Sequence, residues 1–200
     1  MTKIAILVLA GGQSTRMKTP KQLVKLGNNY LLETVLNKAK DIKKNHVYCV
    51  LGANADLIRR EIACANIRFI YNKNHTTGLS ASIVAGTHFI TLQKEKYDGL
   101  LVLLGDQPAI EKEYLLHLIT EFSKDSLKII SSNYKNKPGV PAIFPTHYFS
   151  KLKLMKGDFG AKEILKNNKD VVISKKTSNF IDIDTPEDLE NFKKLLLKKD

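Results

Sequence analysis

Residues 4–9 read Ile-Ala-Ile-Leu-Val-Leu, six apolar and partly branched residues in a row. A strand with one wet face alternates polar and apolar residues, so a run this continuous fits a parallel strand covered on both faces. The chain supplies the covering layers. Leu31, Leu32, Val35, Leu36 and Ala39 recur at helical spacing, and residues 46–52 read as a second strand, 55–65 as a second helix and 67–72 as a third strand. A helix over 79–92, an apolar run from Gly99 that stops at Gly105-Asp106, a helix over 112–123 and a strand over 127–132 continue the alternation. This order predicts one domain over 1–200 of the α/β class, with helices on both faces of an open, mostly parallel sheet in a three-layer, Rossmann-like arrangement. Residues 133–145 read as a Lys-, Asn- and Pro-rich loop returning into a short strand, and a Gly157-Asp158-Phe159-Gly160 turn precedes a helix start. Residues 180–184 read as a last strand, followed by a helix capped by Thr185 with Pro186 at its first position and Leu189, Phe192 and Leu196 on one face.

In such a sheet ligands sit in the crevice at the carboxyl ends of the strands. There the first strand runs into "AGGQSTRMKTPK", residues 10–21. Glycines let backbone N–H groups approach a phosphate or a base edge, and Arg16 and Lys21 can neutralise phosphate oxygens. The loop lacks the Gly-Lys-Ser/Thr of a P-loop and the third glycine of the dinucleotide fingerprint. Asp106 ends one apolar run and Asp182 and Asp184 end another, so these acids reach the same crevice and suit Mg²⁺ bound between protein and triphosphate. On a strand Asp182 and Asp184 would share one side, which leaves either as partner to Asp106. Ser80 and Ser82 stand where a helix cap or a nucleotide contact is expected. His75 and His147 lie in polar stretches and receive no chemical role.

The 32 Lys and Arg against 20 Asp and Glu give a formal net charge of +12, which draws anions. The cations are spread along the chain without the interleaved aromatics of a nucleic-acid surface, so no nucleic-acid partner is expected. Apolar runs are too short for a membrane span or a signal segment, and Cys49 and Cys64 read as buried free thiols. A cytoplasmic protein without a membrane partner follows as the expectation.

The stretch "LAGGQSTRMKTPK" resembles the Leu-Ala-Gly-Gly-x-Ser-x-Arg-Met-Gly-x-x-Lys signature of nucleotidyltransferases with a GT-A-like, nucleotide-diphospho-sugar transferase fold. "TGLSASIVAG", "GDQP", "GVPAIF", "GDFGAKEIL" and "IDIDTPEDL" follow in the order found in the molybdenum cofactor cytidylyltransferase-like branch. The likeness covers nearly the whole chain. Three positions depart from it: Lys18 replaces a glycine, Gly11 after Ala10 matches the guanylyltransferase form, and Val140 replaces a histidine. The resemblance implies Mg²⁺-dependent transfer of CMP or GMP to the phosphate of a molybdopterin-type cofactor, with a molybdenum hydroxylase or its chaperone as partner. It implies Arg16 and Lys21 as catalytic, Leu9, Ala10, Gly11, Gly12, Gly78 and Ser82 at the nucleotide, and Gly157, Asp158 and Gly160 at the acceptor. Asp106 and Asp184 would be the metal ligands. The alternatives are another acceptor, such as a sugar phosphate, or a cofactor carrier without turnover.

Overall fold

A computed structural model of the chain describes residues 2–197 apart from 15, 18, 63, 135, 136, 167, 175 and 177; Lys18 therefore lies outside the described residues. Strand β1 spans Ile4–Ala10 and is buried along its whole length. Period-2 geometry sends successive side chains to opposite faces. Accordingly Ile4, Ile6, Val8 and Ala10 enter one apolar cluster, and Ala5, Leu7 and Leu9 the other. Helices α1 (Leu31–Ile42), α2 (Ala55–Glu61) and α4 (Lys112–Lys124) cover the first face. Helices α3 (Leu79–Thr91), α5 (Phe149–Lys153) and α6 (Lys162–Lys166) cover the second.

The other strands are β2 (Lys25–Leu26), β3 (Asn29–Tyr30), β4 (Val47–Leu51), β5 (Ile67–Tyr71), β6 (Gly99–Leu104), β7 (Ile129–Tyr134), β8 (Lys137–Pro145) and β9 (Val171–Ile173). The large sheet has the order β5-β4-β1-β6-β8-β7-β9. Its β5-β4-β1-β6 half is parallel, β8 runs antiparallel to both β6 and β7, and β9 is parallel to β7. The chain passes from β1 to β4 and β5 on one side and then returns to β6 on the other. The connections leaving the carboxyl ends of β1 and β6 thus diverge, which opens a crevice at that point.

Several local expectations are corrected. Helix α2 ends at Glu61, because Ile62 is already extended. The segment read as a loop with a short strand is the nine-residue strand β8, which carries Pro138, Pro141 and Pro145. Its register against β7 shifts between Ser131–Ala142 and Ser132–Gly139, so Val140 and Pro141 fall in a bulge where proline's missing N–H costs no ladder bond. The β2–β3 hairpin and β9 were not anticipated, being only two and three residues long. Residues 180–184 form no strand, although the Thr185-capped helix α7 (Pro186–Leu196) follows as expected. Cys49 is buried, but Cys64 is only half-buried, and both are free thiols. Among the described residues no helix is long and apolar enough to cross a membrane.

Candidate active site

The crevice above β1 and β6 is a cleft of about 460 Å³. Gly105 N–H donates to the Leu9 carbonyl at 2.9 Å and ties the two strand ends together. The glycine loop leaves β1 here, and its shape is held by a side chain that the sequence did not single out. Gln22, buried at 3% exposure, donates from Nε2 to the carbonyls of Ala10 (3.0 Å) and Gly12 (3.1 Å). Its Oε1 accepts from Ser14 Oγ at 3.3 Å, and Ser14 Oγ in turn accepts from the backbone N–H of Lys21 at 3.0 Å. Ser14 pays for this position with a left-handed backbone, φ 56°. These bonds bring Lys21 back over the strand ends.

The Lys21 ammonium donates to Asp106 Oδ2 at 2.5 Å and to Asp184 Oδ1 at 2.8 Å. Arg16 donates to the second oxygen of Asp184 at 3.1 Å. Lys21 and Asp106 are largely enclosed, whereas the Arg16 side chain is 68% exposed, so its ion pair is screened and weak. Burial works against the Lys21 charge, but the two carboxylates outweigh it and raise its pKa above the ordinary lysine value. Hydrogen bonding from Lys21 lowers the pKa of Asp184. Burial pushes Asp106 up despite Lys21, with Asp182 and Asp184 adding to the push. Two acids thus share one enclosed ammonium, and Asp106 Oδ1 is buried without a partner among the described residues. An orphaned carboxylate oxygen beside a second carboxylate fits a hard divalent cation. Among the described residues no group of three or more His, Cys, Asp and Glu has metal-holding geometry, so the remaining ligands would come from phosphate and water.

Asp184 rather than Asp182 faces this cleft. Asp182 accepts from Gln107 Nε2 at 2.7 Å and from the Tyr134 hydroxyl at 3.3 Å, which turns its carboxylate away from Lys21. The two do not share a side because 180–184 is irregular chain, pinned where Ile183 N–H meets the Asp106 carbonyl at 3.0 Å.

Leu9, Ala10, Gly11, Gly12, Gly78 and Ser82 all line the cleft, together with Arg16, Lys21, Asp106, Asp158 and Asp184. Gly78 has φ 102°, and a Cβ there would meet Asp158 at 2.7 Å, so a side chain is excluded by both backbone and space. Ser82 Oγ accepts from Asn72 Nδ2 at 3.2 Å. Neither Ser80 nor Ser82 caps α3, whose N-cap is Gly78. The cap comes from far along the chain: Asp158 Oδ1 accepts the Leu79 N–H at 2.9 Å. Gly157 and Gly160 do not line the cleft; Gly160 is buried against Leu79, and both serve the left-handed backbone of the turn. The helix that follows that turn, α6, is five residues long. His75, given no role from the sequence, lies on the cleft wall with a buried Nδ1 that has no partner among the described residues. No local pattern marks it or Gln22, since only folding brings them to the cleft.

Comparison with known proteins agrees with this architecture. The family described as the MobA-like NTP transferase domain matches residues 6–171. A curated relative, the bifunctional protein GlmU of Pseudomonas aeruginosa, is 26% identical over 169 residues, 84% of this chain and 34% of its own length. The chain thus spans about a third of the length of the curated relatives it matches. Rv0371c from Mycobacterium tuberculosis, solved as a complex with manganese, superposes with a TM-score of 0.77 at 22% identity over 96% of this chain and 99% of that one. Molybdopterin-guanine dinucleotide biosynthesis protein A from Archaeoglobus fulgidus superposes with a TM-score of 0.70 at 21% identity over 97% and 99%.

Proposed function

The chain belongs to the MobA-like NTP transferase domain family, and from that membership and the chemistry of the cleft we propose that it is a Mg²⁺-dependent nucleotidyltransferase acting on molybdenum cofactor. In the proposed reaction an oxygen of the acceptor's phosphate bonds to the α-phosphorus of CTP or GTP. The bond from that phosphorus to the oxygen bridging to the β-phosphate breaks, and pyrophosphate leaves with the electron pair. Transfer of this kind needs positioning and charge neutralisation more than a protein nucleophile.

The observation that carries the reading is the pair Asp106 and Asp184 held across Lys21 at the strand ends, beside a glycine loop. Asp106 and Asp184 would hold Mg²⁺, which when bound neutralises charge on the triphosphate oxygens. Lys21, enclosed, and Arg16, exposed, bind the triphosphate and the leaving pyrophosphate. Leu9, Ala10, Gly11 and Gly12 take the base and sugar by backbone contacts, with Gly78 and Ser82 opposite them. Asp158 sits at the acceptor side, where its bond to α3 makes the turn a wall of the cleft. The single domain over 1–200, a cytoplasmic location and a molybdenum hydroxylase or its chaperone as recipient complete the proposal.

The test is pyrophosphate release by the purified protein with Mg²⁺ and molybdenum cofactor, comparing CTP with GTP. Release with one triphosphate, lost by about a hundredfold or more in Asp106→Asn, is the expected result and names the base. No release with either triphosphate removes molybdenum cofactor as the acceptor.

A further inference from the structure

We propose that the Lys21 ammonium is the resident cation of the carboxylate pair and keeps free divalent metal out until a triphosphate draws it away. The proposal rests on reading Asp106 and Asp184 as metal ligands. Of their four oxygens, three already accept from protein cations: Lys21 takes one from each acid, and Arg16 takes the other of Asp184. Only Asp106 Oδ1 has no partner among the described residues. A Mg²⁺ or Mn²⁺ ion drawing on both carboxylates needs oxygens at about 2 Å, in the space the ammonium fills. Two cations crowded between the same oxygens repel, so one excludes the other.

The backbone of Lys21 is fixed through its N–H to Ser14 Oγ (3.0 Å), and Ser14 is tied through Gln22 to the loop. Only the flexible stem can swing, so the ammonium can leave the acids without moving the loop. Leaving them bare inside an enclosed site is unfavourable unless metal replaces it at once. A triphosphate in the cleft supplies new oxygens for Lys21 and Arg16, so nucleotide and metal enter together and each strengthens the other's binding. The cleft therefore rejects the free cation and accepts it with its nucleotide.

Protein-bound Mn²⁺ measured by electron paramagnetic resonance tests this without turnover. With Mn²⁺ alone, Lys21→Met is expected to bind the ion about tenfold or more tightly than the unaltered protein. Lys21→Arg, which keeps the positive charge, is expected to stay as weak as the unaltered protein, and Arg16→Ala to gain less than Lys21→Met. Asp106→Asn added to Lys21→Met should abolish the gain. Lys21→Gln serves if Lys21→Met does not fold. Equal or weaker Mn²⁺ binding by the neutral variants overturns the proposal. Equilibrium dialysis of the unaltered protein with CTP or GTP, with and without Mn²⁺, separates the two failures. Retention of a triphosphate without any gain in the neutral variants sinks only the ammonium's role. No retention of either triphosphate sinks the CTP or GTP reading along with it.

Discussion

A methyl group at position 11 would stand 2.8 Å from Ser82 Oγ, closer than a carbon and an oxygen tolerate. Gly11 does not hold a left-handed backbone, so the need for glycine there is one of space alone. Gly11→Ala is expected to cost about 1–3 kcal/mol, as overpacking does, and much less in a Ser82→Ala background. Denaturant midpoints for the four members of that cycle check it. Additive losses would locate the clash elsewhere. Gly11 and Ser82 were both assigned to the nucleotide from the sequence, but the contact between them, across 71 positions, was not legible. The same holds for Gln22, whose carboxamide satisfies the buried Ala10 carbonyl and also reaches that of Gly12; only the folded loop brings them together.

At the scale of elements, helix ends organise the cleft. Helix α7 begins with a reciprocal cap: Thr185 Oγ1 accepts from Asp188 N–H at 3.2 Å while Asp188 Oδ2 accepts from Thr185 N–H at 2.8 Å. The same carboxylate oxygen accepts from Asp184 N–H at 3.1 Å, so the cap also holds a cleft acid. Thr185→Ala is expected to lower stability by about 1 kcal/mol, as loss of a cap does, and to weaken Mn²⁺ binding in the presence of triphosphate. Thermal unfolding and the Mn²⁺ titration read the two effects separately; an unchanged Mn²⁺ affinity would mean that the cap does not govern Asp184. This helix start was plain in the sequence, because Thr-Pro-Glu-Asp is a local signal. The α3 cap was not, since its acid lies 79 residues away on the Asp158 turn.

At the scale of the whole molecule, charge groups far from the cleft join the beginnings of the central strands. Glu95 is held at about 2 by hydrogen bonds from Lys3 and Tyr97, well below its ordinary 4.5. A carboxylate with a depressed pKa adds stability at pH values above its unfolded pKa, and loses it as pH falls toward the folded one. Stability is therefore expected to decline between pH 4.5 and about 2, and Glu95→Gln to flatten that part of the curve. Urea unfolding across this window checks the sign; an unchanged slope in the variant would assign acid sensitivity to other acids.

The sequence by itself determined the alternation of strands and helices, the doubly buried first strand, the glycine loop at its end and the acid at the end of β6. These follow from hydrogen-bonding period and side-chain pattern over a few residues, which act before distant parts of the chain meet. Tertiary structure decided which acid joins Asp106. Asp182 and Asp184 are alike in sequence, but Gln107 and Tyr134 claim the first, and Lys21 and Arg16 meet the second. It also decided that β8 enters the sheet with Pro141 inside it, because a bulge opposite β7 removes the need for that residue's missing N–H. Both outcomes depend on partners brought together by packing, and no periodicity along the chain encodes such partners.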